Sequence, residues 1–215
     1  MSEHGLSVTQ HPGALAGAGA PQPVFYFDLG SPEAYLAAER VMAELPVVPE
    51  WRPILAAGLV GAGLAGAGAP GDAGERRAAA ERRAAAQHVQ PLRWPADWPW
   101  EDTRPAMVAA TYAKQIGRAV AFALAAFRQA FAGGRALDED TLLIAAAACE
   151  MHPRAVLQAL GRASVAAALD AATAEAAATG ATRVPAIVVG DMVFEGDDAV
   201  ERAAAALATH GAAPA

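Results

Sequence analysis

The sequence predicts an α/β fold in which a small β-sheet is interrupted by a long helical segment. Three observations support this prediction. The aromatic and β-branched run at Val24–Leu29 is typical of a buried strand, the middle of the chain is rich in alanine at helical spacing, and two short apolar runs, PAIVV and MVFE, follow Gly180. Strands at both ends with helices between them indicate one sheet domain that carries an insertion.

The first strand leads directly into a helix. Ser31 stands at an N-cap position and Pro32 at the first helical position, which is the preferred start of a helix. Apolar residues then recur at helical spacing until Pro46 ends the pattern. A second strand is predicted within Val47–Leu55, and its prolines favour an edge or a strand end.

The central segment is predicted to be almost entirely helical. Helices are predicted at 75–86, 103–117, 119–132, 138–150, 153–160 and 162–179, with a segment rich in proline and tryptophan after the first of them. After Gly180, Gly190-Asp191 predicts a two-residue hairpin, and Asp197 or Asp198 can cap a last helix through Thr209.

These patterns divide the chain into three parts. Residues 23–55 and 180–209 are predicted to form the sheet domain, with 56–179 as an all-helical insertion. Residues 1–22, rich in glycine, alanine, proline and serine, are expected to be a disordered tail.

Composition narrows the function classes. A net charge of -7 over 215 residues argues against nucleic-acid binding, which needs a basic surface. We expect no membrane span, because no uncharged apolar run is long enough, and no secretory signal. Cys149 is the only cysteine, so an internal disulfide is excluded and a cytoplasmic location is the expectation. The five histidines show no paired ligand spacing, and no metal site is predicted.

Ser31 is the first candidate for chemistry. A group between a strand and a helix faces unpaired backbone N–H donors and the positive end of the helix dipole, an environment that stabilises an anion. A serine cannot be a thiolate, but its hydroxyl can donate a hydrogen bond to one. The alternative is that Ser31 is an ordinary N-cap, and the two interpretations are compatible.

Val184-Pro185 is the second candidate. A proline that opens a strand after a β-branched residue can follow a cis peptide bond, which leaves the preceding backbone free to pair with a ligand. A trans proline at a strand start is the alternative, and it is favoured by frequency alone.

Three segments together resemble a known family: FYFDLGSPEAYLAAERV, WRPILAAGLVG and TRVPAIVVGDMVFEGDDAVE. They are similar, in order and spacing over about residues 24 to 208, to the DsbA-like thioredoxin superfamily. Within it they are most similar to the branch of 2-hydroxychromene-2-carboxylate isomerases and kappa-class glutathione transferases. The resemblance implies a thioredoxin-like fold (β-α-β … β-β-α) with a large all-helical insertion domain.

The resemblance also implies roles for individual residues. Ser31 would hold the sulfur of bound glutathione, or another small thiol, as a thiolate. Val184, before a cis Pro185, would pair its backbone with the cysteinyl part of the thiol. Further cofactor contacts are implied at the start of the last helix and on the second strand: Asp197, Asp198 and Arg52.

The chain departs from the family pattern at the turn and after the hairpin. Ser31-Pro32-Glu33-Ala34 replaces the cysteine pair of redox relatives, so we expect no disulfide exchange. Glu33 places a carboxylate where an anionic thiol would bind, and Ala199 stands where relatives often carry an arginine. Both differences shift the local charge away from anion binding.

The remaining motifs have weaker interpretations. Trp94, Trp98 and Trp100 are expected either to line a pocket for an aromatic substrate, as the resemblance implies, or to form a structural clasp. The arginines of ERRAAAERRAAA are interpreted as a solvated helix face. Cys149, in an alanine-rich helix, is interpreted as a small buried residue. Gly61–Gly66 matches a dinucleotide fingerprint literally, but it lacks the helix that the fingerprint requires.

The sequence therefore predicts a thiol-dependent isomerase or transferase that acts on a small aromatic-derived compound and resembles the 2-hydroxychromene-2-carboxylate isomerases. A homodimer is implied by the resemblance alone. The alternative is a non-catalytic binding module that has kept the fold and lost the chemistry.

Overall fold

The computed structural model describes residues 21–59 and 73–211, and within them four strands and eight α-helices follow the predicted order. The strands are β1 (Val24–Phe27), β2 (Glu50–Pro53), β3 (Ala186–Val189) and β4 (Met192–Glu195). The helices are α1 (Pro32–Glu44), α2 (Ala73–Ala86), α3 (Arg104–Gln115), α4 (Ala119–Phe127), α5 (Glu139–Ala148), α6 (Pro153–Leu160), α7 (Ala163–Ala178) and α8 (Ala199–Gly211). The predicted fold class is confirmed.

The four strands form one mixed sheet in the order β2-β1-β3-β4. Strand β1 pairs in parallel with β2 through the crossover helix α1, and it pairs antiparallel with β3. Val189 pairs with Met192, so the predicted two-residue hairpin between β3 and β4 is confirmed. In this register Tyr26 lies between Arg52 on one side and Ala186 on the other.

Alternation along β1 assigns each face of the sheet to a different set of helices. Phe25 and Phe27 belong to the large core that also contains residues of α1 and α8, such as Val41 and Leu207. Tyr26 belongs to a second core, which includes Ala176 of α7. Helix α7 lies within the predicted insertion but covers one face of the sheet; how the chain divides into domains stays a prediction.

The helix predicted at 119–132 changes its geometry before it ends. Helix α4 stops at Phe127, and the chain continues through one π-helical turn, Arg128–Ala132. Phe131, in this turn, packs with its ring centroid 5.8 Å from that of Tyr35, 5.9 Å from Trp100 and 6.0 Å from Trp94. The wider turn thereby joins α1, α4 and the tryptophan segment in one aromatic cluster.

A close approach of the Thr103 side chain to the Gly30 backbone fixes the turn between β1 and α1. A Cβ atom added at Gly30 would lie 2.4 Å from Cγ2 of Thr103, which precedes α3. Since real Cβ contacts are essentially never shorter than 3.0 Å, only glycine fits there without a shift of Thr103. The start of α3 is therefore seated directly against the candidate active-site turn.

Two of the predictions from sequence fall on residues outside 21–59 and 73–211. The tail, apart from residues 21 and 22, and the literal fingerprint at Gly61–Gly66 lie outside the described residues. Within the described ranges, no helix combines the length and apolarity needed to cross a bilayer, and no cluster of three or more metal-ligating side chains is found. Cys149 is 7% exposed, and burial raises the pKa of its thiol, as expected of a small buried residue.

Candidate active site

Ser31 caps helix α1, as the sequence predicts. Its backbone is extended (φ -97°, ψ 116°), and its Oγ accepts a hydrogen bond of 3.0 Å from the N–H of Ala34. Pro32 follows at the first helical position, and Ser31 is only 8% exposed. The hydroxyl therefore sits at the positive end of the helix dipole with its own proton still available to a partner.

That partner is the carboxylate of Glu33. Ser31 Oγ donates a hydrogen bond of 2.9 Å to Glu33 Oε2, and Nη2 of Arg76 lies 3.5 Å from the same oxygen. The carboxylate thus points at Ser31 and away from bulk solvent, with 24% of its side chain exposed. The Glu33 carboxylate is thus held between a hydroxyl, a guanidinium and a helix N-terminus.

The arginines of α2 supply the positive charge around this turn. The Arg76 guanidinium lies 5.1 Å from the ring centroid of Trp98, and Arg77 donates a 2.8 Å hydrogen bond to the Trp98 carbonyl. Arg83 pairs with Asp197 at the other end of the helix. For these three side chains the interpretation as a solvated face was wrong, and it holds only for Arg82. The reason is that the buried stripe of α2, Ala80 and Ala84, turns the flanking arginines toward the site.

The three tryptophans form a clasp over the turn. Trp98 is 3% exposed, and its Nε1 donates to the carbonyl of Gly30 at 3.2 Å. Trp94 packs on Trp98 with centroids 4.6 Å apart and donates to Glu81, while Trp100 donates to Asp97. All three indole N–H groups thus have partners within the chain. This arrangement supports the structural alternative for Trp98 and Trp100, and it leaves Trp94 partly exposed.

A buried carboxylate that the sequence analysis did not single out organises the turn from below. Asp28 is 3% exposed and accepts three hydrogen bonds, from the N–H groups of Gly30 and Ala56 (both 2.9 Å) and from Thr103 Oγ1 (3.0 Å). Burial raises the pKa of the Asp28 carboxyl above its ordinary value, and the three hydrogen bonds act against that rise. An acidic residue at the end of a buried apolar strand is the signal that could have revealed it.

Val184 and Pro185 lie directly before β3. The peptide bond between them is cis. Val184 comes two residues before Ala186, the partner of Tyr26 in the sheet, and packs with Tyr26 and Ile54 in the second core. Among the described residues, no hydrogen bond involves the backbone N–H or C=O of Val184.

Asp197 and Asp198, at the start of α8, have different surroundings. Asp197 pairs with Arg83 and helps to line a narrow crevice of about 10 Å³, the room of a single water molecule. Asp198 pairs instead with Arg202 at 3.0 Å, one turn further along its own helix. The crevice extends from Asp197 to Glu33, the hydrogen-bond partner of Ser31. Its lining residues are Glu33, Leu36, Ala37, Arg40, Arg83, Gln87, Gly196 and Asp197.

Replacing Arg83 by methionine is expected to open this crevice at little cost in stability. The Asp197 side chain is 56% exposed, although that of Arg83 is only 20% exposed, and an ion pair with a solvent-exposed partner contributes at most about 1 kcal/mol. Urea unfolding of Arg83→Met should therefore fall within about 1 kcal/mol of the parent protein. Arg82→Met is the matched control on the exposed side of the same helix. A loss of stability in Arg83→Met well beyond that of the control would show that the Arg83–Asp197 pair contributes more than this prediction allows.

Arg52 lies away from the turn. Its guanidinium bonds Glu50 at 2.9 Å, pairs with Glu175 of α7, and lies 5.9 Å from the ring centroid of Tyr26. These partners place it on the sheet face that α7 covers, beside a groove of about 340 Å³ that also includes Thr111 and Lys114. The structure brings Asp197 into the crevice that Glu33, the partner of Ser31, also lines, whereas Arg52 lines a different groove.

Comparison with known proteins agrees with this architecture. The profile of the DSBA-like thioredoxin domain matches residues 24–208. The chain belongs to the DSBA-like thioredoxin domain family. No curated protein sequence matches it. The superfamily resemblance predicted from the sequence is therefore confirmed.

Solved structures resemble this DSBA-like protein over most of its length. A 2-hydroxychromene-2-carboxylate isomerase superposes with a TM-score of 0.72 at 20% identity, covering 87% of this chain and 95% of its own. A probable DsbA oxidoreductase from Streptomyces coelicolor gives 0.70 at 22% identity, covering 91% and 92%. The oxidoreductase DsbA from Xylella fastidiosa gives 0.56 at 16% identity, covering 91% and 89%. At these identities the similarity shows the fold.

Proposed function

We propose that this DSBA-like protein is a thiol-dependent isomerase or transferase that holds the sulfur of glutathione, or of another small thiol, at Ser31. The observation that carries the proposal is that the turn already stabilises an anion. Ser31 Oγ donates to the Glu33 carboxylate, with Arg76 beside it and the start of α1 beneath it. These groups, a hydroxyl donor, a cation and a helix dipole, are the ones that favour a thiolate over a thiol.

Other residues fit the remainder of a peptide-like thiol. The unpaired backbone groups of Val184 suit an extended amide segment. The carboxylate of Asp197 suits an ammonium group, provided that Arg83 gives way. Trp94 is the tryptophan with exposed surface to offer an aromatic substrate. When bound, the thiol supplies a sulfur nucleophile that adds reversibly to an unsaturated carbon of the substrate.

The protein's own contribution is to orient and to stabilise. Ser31 would donate a hydrogen bond from its hydroxyl to the sulfur, and the backbone of Val184 would pair with the amide segment of the thiol. The tryptophan clasp keeps water from the turn, because Trp98 covers Gly30. In the proposed assignment the substrate is a small aromatic-derived compound, and the working form is a cytoplasmic homodimer.

Thermal unfolding with added glutathione tests the proposal. We expect the melting temperature to rise by roughly 5–10 °C at a thiol concentration about a hundredfold above Kd. We expect this rise to vanish in Ser31→Ala, whose lost N-cap lowers its own starting stability by about 1 kcal/mol. Ser164→Ala, an exposed serine in the first turn of α7, is the matched control and should keep the full rise.

A non-catalytic binding module is the second candidate, and one observation favours it. The donor of Ser31 is engaged by Glu33, and Arg83 closes the crevice at Asp197. In a protein that had lost its catalytic activity, we would expect the polar groups of the site to be paired with one another in this way. No thermal shift at millimolar thiol, in the parent protein and in both variants, would support this candidate and contradict the enzyme.

A further inference from the structure

We propose that Glu33 is the proton acceptor of the incoming thiol. This inference rests on the proposed function, since it assumes that a thiol binds at Ser31. It assigns to Glu33 a role opposite to that of a carboxylate that merely repels an anion. Three features support this role: the direction in which Glu33 points, the charges that surround it, and the balance of the proton transfer.

Glu33 already interacts with the group that would hold the sulfur. Its Oε2 is both the acceptor for Ser31 Oγ, at 2.9 Å, and the atom that faces Arg76. A thiol that reaches Ser31 therefore meets Oε2 within one hydrogen-bond length of the hydroxyl. Geometry of this kind is the first requirement of a general base.

The cation that pairs with Glu33 is matched to one negative charge. Among the described residues Arg76 is the one cation that forms an ion pair with Glu33, and both side chains are largely buried, at 19% and 24% exposed. Arg40, Arg83 and Asp197 line the same crevice, but Arg83 pairs with Asp197, and Arg40 pairs with Glu44 and Glu201. The carboxyl of Asp28, under the turn, is occupied by its own three hydrogen bonds. A thiolate beside an ionised Glu33 would place two negative charges against one guanidinium, and like charges in contact disfavour each other's ionisation. The site therefore holds a carboxylate or a thiolate, with the same total charge in either case.

Proton transfer satisfies this balance without any further reactant. The S–H bond breaks, its electron pair stays on sulfur, and an O–H bond forms on the Glu33 carboxylate. The neutral carboxyl no longer needs the Ser31 proton, so the hydroxyl turns to the sulfur, and Arg76 becomes the counter-charge of the thiolate. A helix N-terminus and a neighbouring arginine lower a thiol pKa from about 8.5 to about 3.5–7.5, which makes the transfer feasible.

Calorimetry at about pH 6.5, below the ordinary thiol pKa, measures the destination of the proton. Glutathione is titrated into the protein in two buffers of different ionisation enthalpy, and the ultraviolet absorbance of bound thiolate is followed in parallel. We expect thiolate absorbance with no net proton released, and an affinity that is flat between about pH 6 and 8. Glu33→Gln should release about one proton per thiol, with affinity rising about tenfold per pH unit.

Two further variants complete the test. Glu75→Gln, an exposed glutamate on α2, should behave like the parent protein. Arg76→Gln keeps Glu33 but removes the counter-charge, so the thiolate absorbance should fall. Release of about one proton by the parent protein, or binding without thiolate absorbance, would overturn the role of Glu33 while leaving thiol binding intact. Absence of binding heat in all four proteins would overturn the proposed function and this inference with it.

Discussion

Replacing Asp28 by alanine should lower the free energy of unfolding by about 2–5 kcal/mol. The substitution leaves three buried donors, the N–H groups of Gly30 and Ala56 and the hydroxyl of Thr103, without an acceptor. Each unsatisfied donor costs about 1–3 kcal/mol, partly offset because a buried carboxylate no longer has to be desolvated. Urea denaturation of the parent and variant proteins measures the difference.

Asp170→Ala is the control for Asp28. Asp170 also forms a charged hydrogen bond, to Arg104 at 2.6 Å, but both side chains are about half exposed. We expect that substitution to cost less than about 1 kcal/mol. Equal losses for the two aspartates would contradict the argument that burial makes Asp28 important.

The effect of Asp28 should depend on pH with a definite sign. Burial raises the pKa of this carboxyl in the folded protein, so its contribution is greatest below the ordinary carboxyl pKa of about 3.9. That contribution is then lost as the pH rises through the raised value. Stability of the parent relative to Asp28→Asn should therefore decline as the pH increases over that window. A constant difference would show that the carboxyl is not perturbed.

Trp98→Ala should cost about 3–5 kcal/mol, the range for a large aromatic side chain removed from a core. The 3% exposed ring packs 4.6 Å from Trp94, lies under Arg76 and Arg77, and bonds the Gly30 carbonyl through Nε1. Its removal leaves a cavity between the tryptophan segment and the turn. The loss should appear in urea denaturation as a lower midpoint with little change in slope.

Trp98→Phe separates the two parts of this effect. Phenylalanine keeps most of the packing but cannot donate to Gly30, so a loss of about 1–2 kcal/mol is expected. Trp94→Ala removes a ring that is partly exposed and should cost less than Trp98→Ala. If the order of the two alanine variants were reversed, Trp94 and not Trp98 would be the anchor of the clasp.

The features that could be predicted from the sequence are mostly helix ends and turns, which depend on a few neighbouring residues. Ser31 and Pro32 fix the start of α1 through backbone chemistry that needs only a few neighbours. The bounds of α6, Pro153–Leu160, agree with prediction to the residue because a proline begins the helix and a glycine follows it. The hairpin at Gly190-Asp191 is equally local.

Contacts between distant segments could not be predicted in the same way. The repeat ERRAAAERRAAA looks equivalent on all sides, and only packing of Ala80 and Ala84 decides that Arg76, Arg77 and Arg83 turn inward. The orientation of Glu33 toward Ser31 depends on Arg76, which is 43 residues away in sequence. The missed carboxylate Asp28 likewise meets its partners, Ala56 and Thr103, only once α3 has docked.

The packing of α7 on the sheet bears on any attempt to shorten the protein. Deleting residues 56–179 would remove the helix whose Ala176 meets the second sheet core. Tyr26, Val184 and Val188, all at most 9% exposed, would then face water together on one side of the sheet. A truncated chain would keep Ser31 and Glu33 but would lose Arg76, Trp98 and Thr103, and it would present an apolar surface prone to self-association. Because α7 buries one face of the sheet, residues 56–179 cannot be removed without exposing that face.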